Sequence, residues 1–342
     1  MYTADDSTLS SSNIALASFW LKSCLHGQST VCRSLATCAV SPRRTINIRD
    51  PDRPFLQDKG NRQIGYVALS YKWGTSKRYM SLVTNVHEHY RAIALDALPK
   101  TFFDAIYVAH NLGFSHLWID ALCIVQDLEE ERNEEIQNMG DIFRGAVLTL
   151  FAEDADNADA GLSRARDPRC IRPCKIELQV ACREIVSLMS LYVRKEPTRL
   201  PKARPLKQRG WVLQEEVLSP RGLHFGSDQI WWDCHCFTSR ESFPDLEKDK
   251  SLTETAGYWS TTGIARNDFG ILRCLLKFQK RARLYGNKSK EIFRAWYNLV
   301  HVYCQRELTF VSDILPALTG LAMAVAKSHN LQYVNGIWKE DI

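Results

Sequence analysis

Apolar and polar positions repeat with two different periods along this chain, and the switches between them predict its elements. Residues 14–26, IALASFWLKSCLH, place Ile14, Leu21 and Leu25 near one face of a short helix. A polar, Pro- and Arg-rich stretch follows, interrupted by TINI at 45–48. Residues 49–62, with Pro51, Pro54 and Gly60, read as loop. The pattern then sharpens. IGYVALSY (64–71) is a β-prone apolar run followed by Trp73-Gly74. PKTFFDAIYVAHNLG (99–113) has helical spacing at Phe102, Ile106, Ala109 and Leu112. Thr101 reads as its N-cap, Asp104 as the reciprocal acid of a capping box, and Gly113 as its stop. HLWID (116–120) is a short strand. Residues 128–144 form an acidic helix with Ile136, Met139, Ile142 and Phe143 inward, and AVLTLFA (146–152) is a further strand. Strand, helix, strand, helix, strand predicts a parallel sheet covered by helices, with right-handed crossovers as the default.

Beyond Gly161-Leu162 the chain turns basic and proline-rich, with one apolar run at 176–192. QRGWVLQEEVLSPR (208–221) predicts a helix start with Trp211, Leu213 or Gln214, and Leu218 periodic. LHFGSDQIWWDC (223–234) predicts a hairpin around Gly226-Ser227. Residues 271–284, 291–304 and 312–327 read as helices. The last has Ser312 as N-cap and Pro316 in its first turn, where proline is tolerated. No internal repeat is visible.

Composition narrows the class. A chain of 342 residues with 45% hydrophobic and 24% charged side chains is an ordinary globular one, neither disordered nor fibrous. No apolar run approaches the roughly 20 residues that span a bilayer. The start, MYTADDSTLSSS, lacks the basic and apolar regions of a signal peptide. Eleven cysteines, an odd number spread over the whole length, point to thiols in a reducing cytoplasm rather than a disulfide framework. Net charge is only +5, but it conceals two blocks: twelve acidic against two basic residues at 120–159, and thirteen basic against four acidic at 164–209. The blocks are solvated faces, or meet in the fold, or form an anion or partner surface. The basic block lacks interleaved aromatics and is broken by prolines, which argues against nucleic acid.

In an open parallel sheet, ligands sit beyond the carboxyl ends of the strands. Three predicted strands end in useful chemistry: Ser70-Tyr71-Lys72-Trp73-Gly74, Trp118-Ile119-Asp120, and Glu153-Asp154, the first two being the better candidates. Asp120 either meets a ligand or caps the next turn. Glu131 and Glu135 share one helical face, four residues apart, and Met139 continues it toward the core. They either approach a cleft or belong to a solvated acidic helix. Cys123 has no histidine nearby in sequence and reads as a core thiol. Cys234-His235-Cys236 with Cys170 and Cys174, and the set Cys24, His26 and Cys32, make only weak zinc patterns, so no metal is expected. No GxGxxG, Walker A, GxSxG or HExxH occurs. Gly74-Thr75-Ser76-Lys77 lacks the upstream glycine of a P-loop.

Taken in order, six motifs resemble the fungal heterokaryon-incompatibility (HET) domain: YVALSYKWG (66–74), LPKTFFDAI (98–106), LGFSHLWIDALCIVQD (112–127), EEIQNMGDIFRGAVLTLFA (134–152), AGL (160–162) and RGWVLQEEVLSPRGLHF (209–225). WLKSCLHGQSTVC (20–32), PRRTINI (42–48), RELTFVSDILPALTGLA (306–322) and YVNGIW (333–338) look like pieces of extended members. Lys72 and Phe143-Arg144-Gly145 depart from the usual pattern. The chain stops at Ile342, where many members continue, so a truncated C-terminal region is expected, and any sensor is expected on another protein. The expected division is an N-terminal extension (1–62), the HET domain (63–225), and a hairpin with a mainly helical C-terminal region (226–342).

The resemblance implies an α/β fold with a TIR-like or flavodoxin-like, mostly parallel sheet flanked by helices. It implies a cytoplasmic role in allorecognition, where HET domains trigger programmed cell death. The motif residues carried over are Ser70, Tyr71, Trp73, Gly74, Trp118, Asp120, Cys123, Gln126, Met139, Trp211, Gln214 and Glu215. Some TIR domains cleave NAD with a glutamate. By analogy the enzyme reading makes NAD a substrate, with no bound cofactor. Glu131 or Glu135 would be catalytic, and Ser70, Tyr71, Trp73, Gly74 and Asp120 would hold the dinucleotide. The other reading is a non-catalytic death-signalling module that self-associates or binds an incompatibility partner through its charged surfaces.

Overall fold

The computed structural model describes residues 5–27, 32, 41–60, 64–74, 79–171, 174–182, 185–193, 204–235, 237–248 and 288–342. The helix expected at 271–284 lies outside them. At the centre are four parallel strands, β3 (Val67–Ser70), β4 (His116–Trp118), β5 (Leu148–Ala152) and β8 (Arg221–Phe225), in the spatial order β4-β3-β5-β8. Every residue of these strands is buried, as expected of unbroken apolar runs covered on both faces. Counting only these strands, the order is 2-1-3-4, the start of a flavodoxin-like sheet. The crossovers are α3 (Lys100–Asn111) between β3 and β4, α5 (Glu129–Gly145) between β4 and β5, and α6 (Gly210–Leu218) before β8.

Antiparallel strands extend the sheet on both sides to nine: β1 (Arg44–Asn47) and β2 (Phe55–Asp58) beside β4, and β9 (Ile230–Cys234), β10 (Phe237–Arg240) and β11 (Phe243–Lys248) beyond β8. The sheet is therefore parallel at its centre and mixed overall. It extends on both sides of the expected boundaries at 62/63 and 225/226, so the N-terminal extension and the hairpin share the central segment's sheet. The stretch 49–62, read as loop, contains β2. Its signal is weak because it is a four-residue edge strand following Pro54 and preceding Gly60, where φ is +57°.

Between α1 (Ser11–His26) and the sheet, and beneath α3 and α5, lies the main core, with Trp20, Trp118, Phe102 and Phe143 fully buried. Two short helices, α2 (Val86–His89) and α4 (Asp120–Cys123), line its rim. A second core joins α6 to α7 (Lys288–Cys304) and α8 (Pro316–His329) around Trp296, Leu321 and Trp338, the last from the small hairpin of β12 (Tyr333–Val334) and β13 (Ile337–Trp338). The helix α8 crosses α5 closely: a Cβ on Gly320 would lie 3.1 Å from the Cα of Gly140. The 176–192 run becomes a separate antiparallel hairpin of β6 (Cys174–Cys182) and β7 (Ile185–Val193).

Three expectations change. Helix α3 starts at Lys100 with Pro99 as N-cap, so Thr101 and Asp104 are not a capping box. They face the AGL turn instead: Gly161 N–H donates to Thr101 Oγ1 (3.0 Å), and Leu162 and Ser163 N–H donate to Asp104 Oδ2 (2.7 and 3.2 Å). Ser312 sits in a separate helical turn, Val311–Asp313, because Pro316, which needs no N–H partner, sets the first position of α8. Val311–His329 is also long and apolar enough, by length and composition, to cross a membrane, which no run of the sequence had suggested. A third of it is buried in the second core.

Candidate active site at the carboxyl edge of the sheet

The strand order reverses between β3 and β5, and this is where open α/β sheets take ligands. Strand β3 leaves the sheet at Ser70 and delivers Tyr71 and Trp73. Strand β4 delivers Asp120 at the start of α4. Helix α6 begins beside them with Arg209 just before it and Glu215 in its second turn. Because α6 is wedged between two cores, Val212, Leu213, Gln214, Glu215 and Val217 are all buried. Position alone therefore strips Glu215 of water.

Asp120 is held on all sides. Trp73 Nε1–H donates to its Oδ2 at 2.7 Å, Ala121 N–H donates to its Oδ1 at 2.7 Å, and the Tyr71 hydroxyl bonds the same carboxylate. Burial nevertheless pushes its pKa above the ordinary range, against the pull of Arg209 and these donors. Burial likewise raises Glu215 to about 7, opposed by Arg209 and by Ser70 and reinforced by the charge on Asp120. Ser70 is buried beside Glu215, yet its Oγ makes no fully formed hydrogen bond of its own. Arg209 donates to the Tyr71 carbonyl while serving both carboxylates. A buried and a half-buried acid thus lie in the field of one cation, with no direct ion pair to it among the described residues. Tyr71 and Trp73 lie parallel, with centroids 6.4 Å apart. Burial and the Asp120 charge raise the Tyr71 pKa well above 10, so it stays a hydroxyl donor.

A second cluster adjoins this one at the ends of β5 and β8. His224 is stacked between Phe151 (4.5 Å) and Trp231 (5.0 Å), with Nδ1 2.7 Å from Glu153 and Nε2 3.1 Å from Asp233. Burial disfavours its charged form, but Asp233 and Glu153 outweigh that and raise its pKa. Lys207 pairs with Glu216 at 2.8 Å, and Arg306 pairs with Glu216 at 3.1 Å. Arg204 lies over the Trp231 ring at 4.0 Å and 3.9 Å from Glu153. The acidic and basic blocks therefore meet here and at Asp120.

Glu131 and Glu135 are buried on α5 rather than on a solvated face, but among the described contacts none joins them to Ser70, Tyr71, Trp73 or Asp120. Arg44 grips both oxygens of Glu131, and Val125 N–H donates to its Oε1 at 3.0 Å. Glu135 accepts from Arg43 N–H at 3.3 Å. The remaining motif residues build the frame. Cys123 is buried, its thiol pushed up to about 12 by desolvation, too inert for a nucleophile. Gln126 Nε2 ties the carbonyls of Asp120 (3.0 Å) and Ile124 (3.1 Å). Trp118 packs edge-on against Phe143, and Met139 lies at the margin of the main core. Gln214 Oε1 accepts from Leu321 N–H at 3.2 Å, and Trp211 Nε1–H donates to Asp313 at 3.0 Å. Gly74 has φ +75°, and any Cβ there would strike Asn157. Its place is a close backbone crossing rather than a phosphate cradle.

These observations define an α/β domain with a two-carboxylate cluster, one acid buried and one half-buried, at its switch point. Residues 66–215 match the family model of the heterokaryon incompatibility protein (HET). No curated protein and no solved structure matches the chain. The matched stretch ends on Glu215 and includes Arg209, which sequence reading quoted in a motif but did not single out. Glu215 was placed there only as a motif residue, because its partners come from 95 and 145 residues upstream.

Proposed function

We propose that the chain is an effector of fungal allorecognition and that its HET domain triggers cell death by hydrolysing the nicotinamide–ribose bond of NAD. The observation that supports this is Asp120 held by Trp73 and Ala121 in the same cluster as the buried Glu215, which burial pushes up to about 7. Nicotinamide leaves with the bonding electron pair, which neutralises its ring nitrogen, and the ribose passes through an oxocarbenium-like state. Asp120, fixed by Trp73, Tyr71 and Ala121, places negative charge against that cation. Water bonds to the anomeric carbon as Glu215 takes its proton, a task suited to a base that titrates near neutrality. The proton then returns to solvent.

The test is nicotinamide release from NAD by the purified, concentrated chain, with Glu215→Gln and Glu135→Gln alongside. The expected result is release by the parent and by the Glu135 variant, a drop of about 100-fold or more for Glu215→Gln, and a rate that rises through pH 7. No release from a folded, concentrated parent overturns the enzyme reading. The alternative is a non-catalytic module that works by self-association or partner binding. It is favoured by the exposed apolar turn of Phe310, Val311, Ile314 and Leu315. It predicts that Glu215→Gln remains toxic in cells.

A further inference from the structure

Cys24 on α1, Cys32 beyond it and Cys234 at the end of β9 lie far apart in sequence. The fold brings their sulfurs within 4.8 Å of one another. Cys24 and Cys32 are buried, Cys234 is half-buried, and none is in a disulfide. A tetrahedral zinc ion, with Zn–S near 2.3 Å, holds its sulfurs about 3.8 Å apart, so only small shifts separate this triangle from a coordination sphere.

Arg221 supplies the second, independent observation. Its side chain is fully buried in the first residue of β8, yet among the described residues it forms no ion pair with a carboxylate. Its guanidinium donates instead to Cys24 Sγ (3.2 Å), to the Val147 carbonyl (3.1 Å) and to the Cys32 carbonyl. A buried cation needs a counter-charge, and among the described residues the group it donates to that can become an anion is the Cys24 thiol. A three-thiolate zinc centre carries net negative charge, and an arginine donating to a ligand sulfur is the kind of outer contact that orients and tunes such ligands. Two exposed cysteines, Cys170 and Cys174, stand outside the cluster, so the C-x3-C pair that the sequence offers is not the pair the fold uses.

We propose that Cys24, Cys32 and Cys234 form a structural zinc site, neutralised by Arg221, that ties the N-terminal helix to the β8–β9 hairpin. Three S–Zn bonds form, and the thiol protons still present leave to solvent. One such proton is that of Cys234, whose Sγ lies 3.4 Å from the Phe237 carbonyl. The fourth position belongs to a further donor. His235, next in sequence to Cys234, is buried but lies outside the three-sulfur cluster. Soft thiolates select zinc over magnesium, calcium or manganese.

The experiment is elemental analysis of the full chain, purified under reducing conditions without a metal-affinity step. The expected content is about one zinc per chain, retained in Cys174→Ser and lost in Cys24→Ser and Cys234→Ser. If those variants fail to fold, cobalt(II) titration of the parent, after removal of its metal, decides: thiolate-to-cobalt charge-transfer absorption supports the site. Arg221→Gln should weaken metal affinity about 10- to 100-fold. Sub-stoichiometric metal together with no charge-transfer band overturns the proposal. So does a mass loss of two hydrogens that maps to a disulfide between two of the three cysteines in the protein as isolated.

Discussion

Glu131 and Glu215 are both buried glutamates on helices that cover the sheet, and they show opposite solutions to the same electrostatic problem. Glu131 has a cation of its own: both oxygens are taken by Arg44, and a backbone N–H completes the set. Glu215 shares Arg209 with Asp120 and is left with a pKa near 7. A carboxylate saturated by fixed donors holds structure together. One that is buried and under-compensated can exchange a proton near neutral pH, which is the property a site needs. Burial alone does not separate the two, and neither does the acidic character of the helix.

The comparison breaks most visibly at Arg44. Arg44→Ala leaves the buried Glu131 with only the looser pair to Arg43 at 3.7 Å, and breaking a buried pair typically costs about 3–5 kcal/mol. It also removes the donor to the Cys123 carbonyl. Chemical denaturation should show a loss of that size. A loss below about 1 kcal/mol would mean that Glu131 is not committed to the frame, and it would return as a site candidate.

Glu215→Gln should behave in the opposite sense. The folded pKa of Glu215, about 7, lies above its unfolded value near 4.5. Between those values the folded state binds the extra proton, so stability falls as pH rises from about 4.5 to about 7. Glutamine removes that fall. The variant should match the parent near pH 4.5 and exceed it at pH 8, by up to about 3 kcal/mol. Denaturation curves at the two pH values decide it, independently of any NAD assay. An equal or lower stability at pH 8 would place Glu215 with Glu131 as a structural acid.

How legible all this was depends on sequence distance. The parallel centre was readable because each strand is an unbroken apolar run and each crossover helix has its own period. The strand ends Ser70–Gly74 and Asp120 followed directly, since a polar residue after such a run must emerge at the carboxyl edge. Spacing also placed Glu131 and Glu135 on one helical face, but periodicity cannot say whether that face is buried or which cation waits there, and Arg44 lies 87 residues away. Thr101 and Asp104 show the same limit. Their three-residue spacing imitates a local cap, whereas their partners are the N–H groups of 161–163. Asp104→Ala should therefore cost about 2 kcal/mol by leaving buried donors unpaired, rather than the smaller cost of an exposed cap. It should also raise hydrogen exchange at Leu162 and Ser163 before that of α3. Faster exchange confined to the first turn of α3 would restore the capping reading.

The finest test falls on Trp73. Its Nε1–H is one of the donors that favour the charged form of Asp120 against burial. Trp73→Phe keeps an aromatic face beside Tyr71 and removes only that donor. Tyr71, Ala121 N–H and Arg209 remain, so the carboxylate is less well held but not abandoned. The expected cost is about 1 kcal/mol, equivalent to an upward shift of the Asp120 pKa by somewhat under one unit. The folded pKa already lies above the unfolded value, so a further rise widens the pH window over which deprotonation works against folding. A carbon-13 titration of the Asp120 carboxyl in the parent and the variant reads this directly. An unchanged or lower pKa in the variant would show that Trp73 packs beside Asp120 without tuning it, and the shared-cation account of the site would then rest on Arg209 alone.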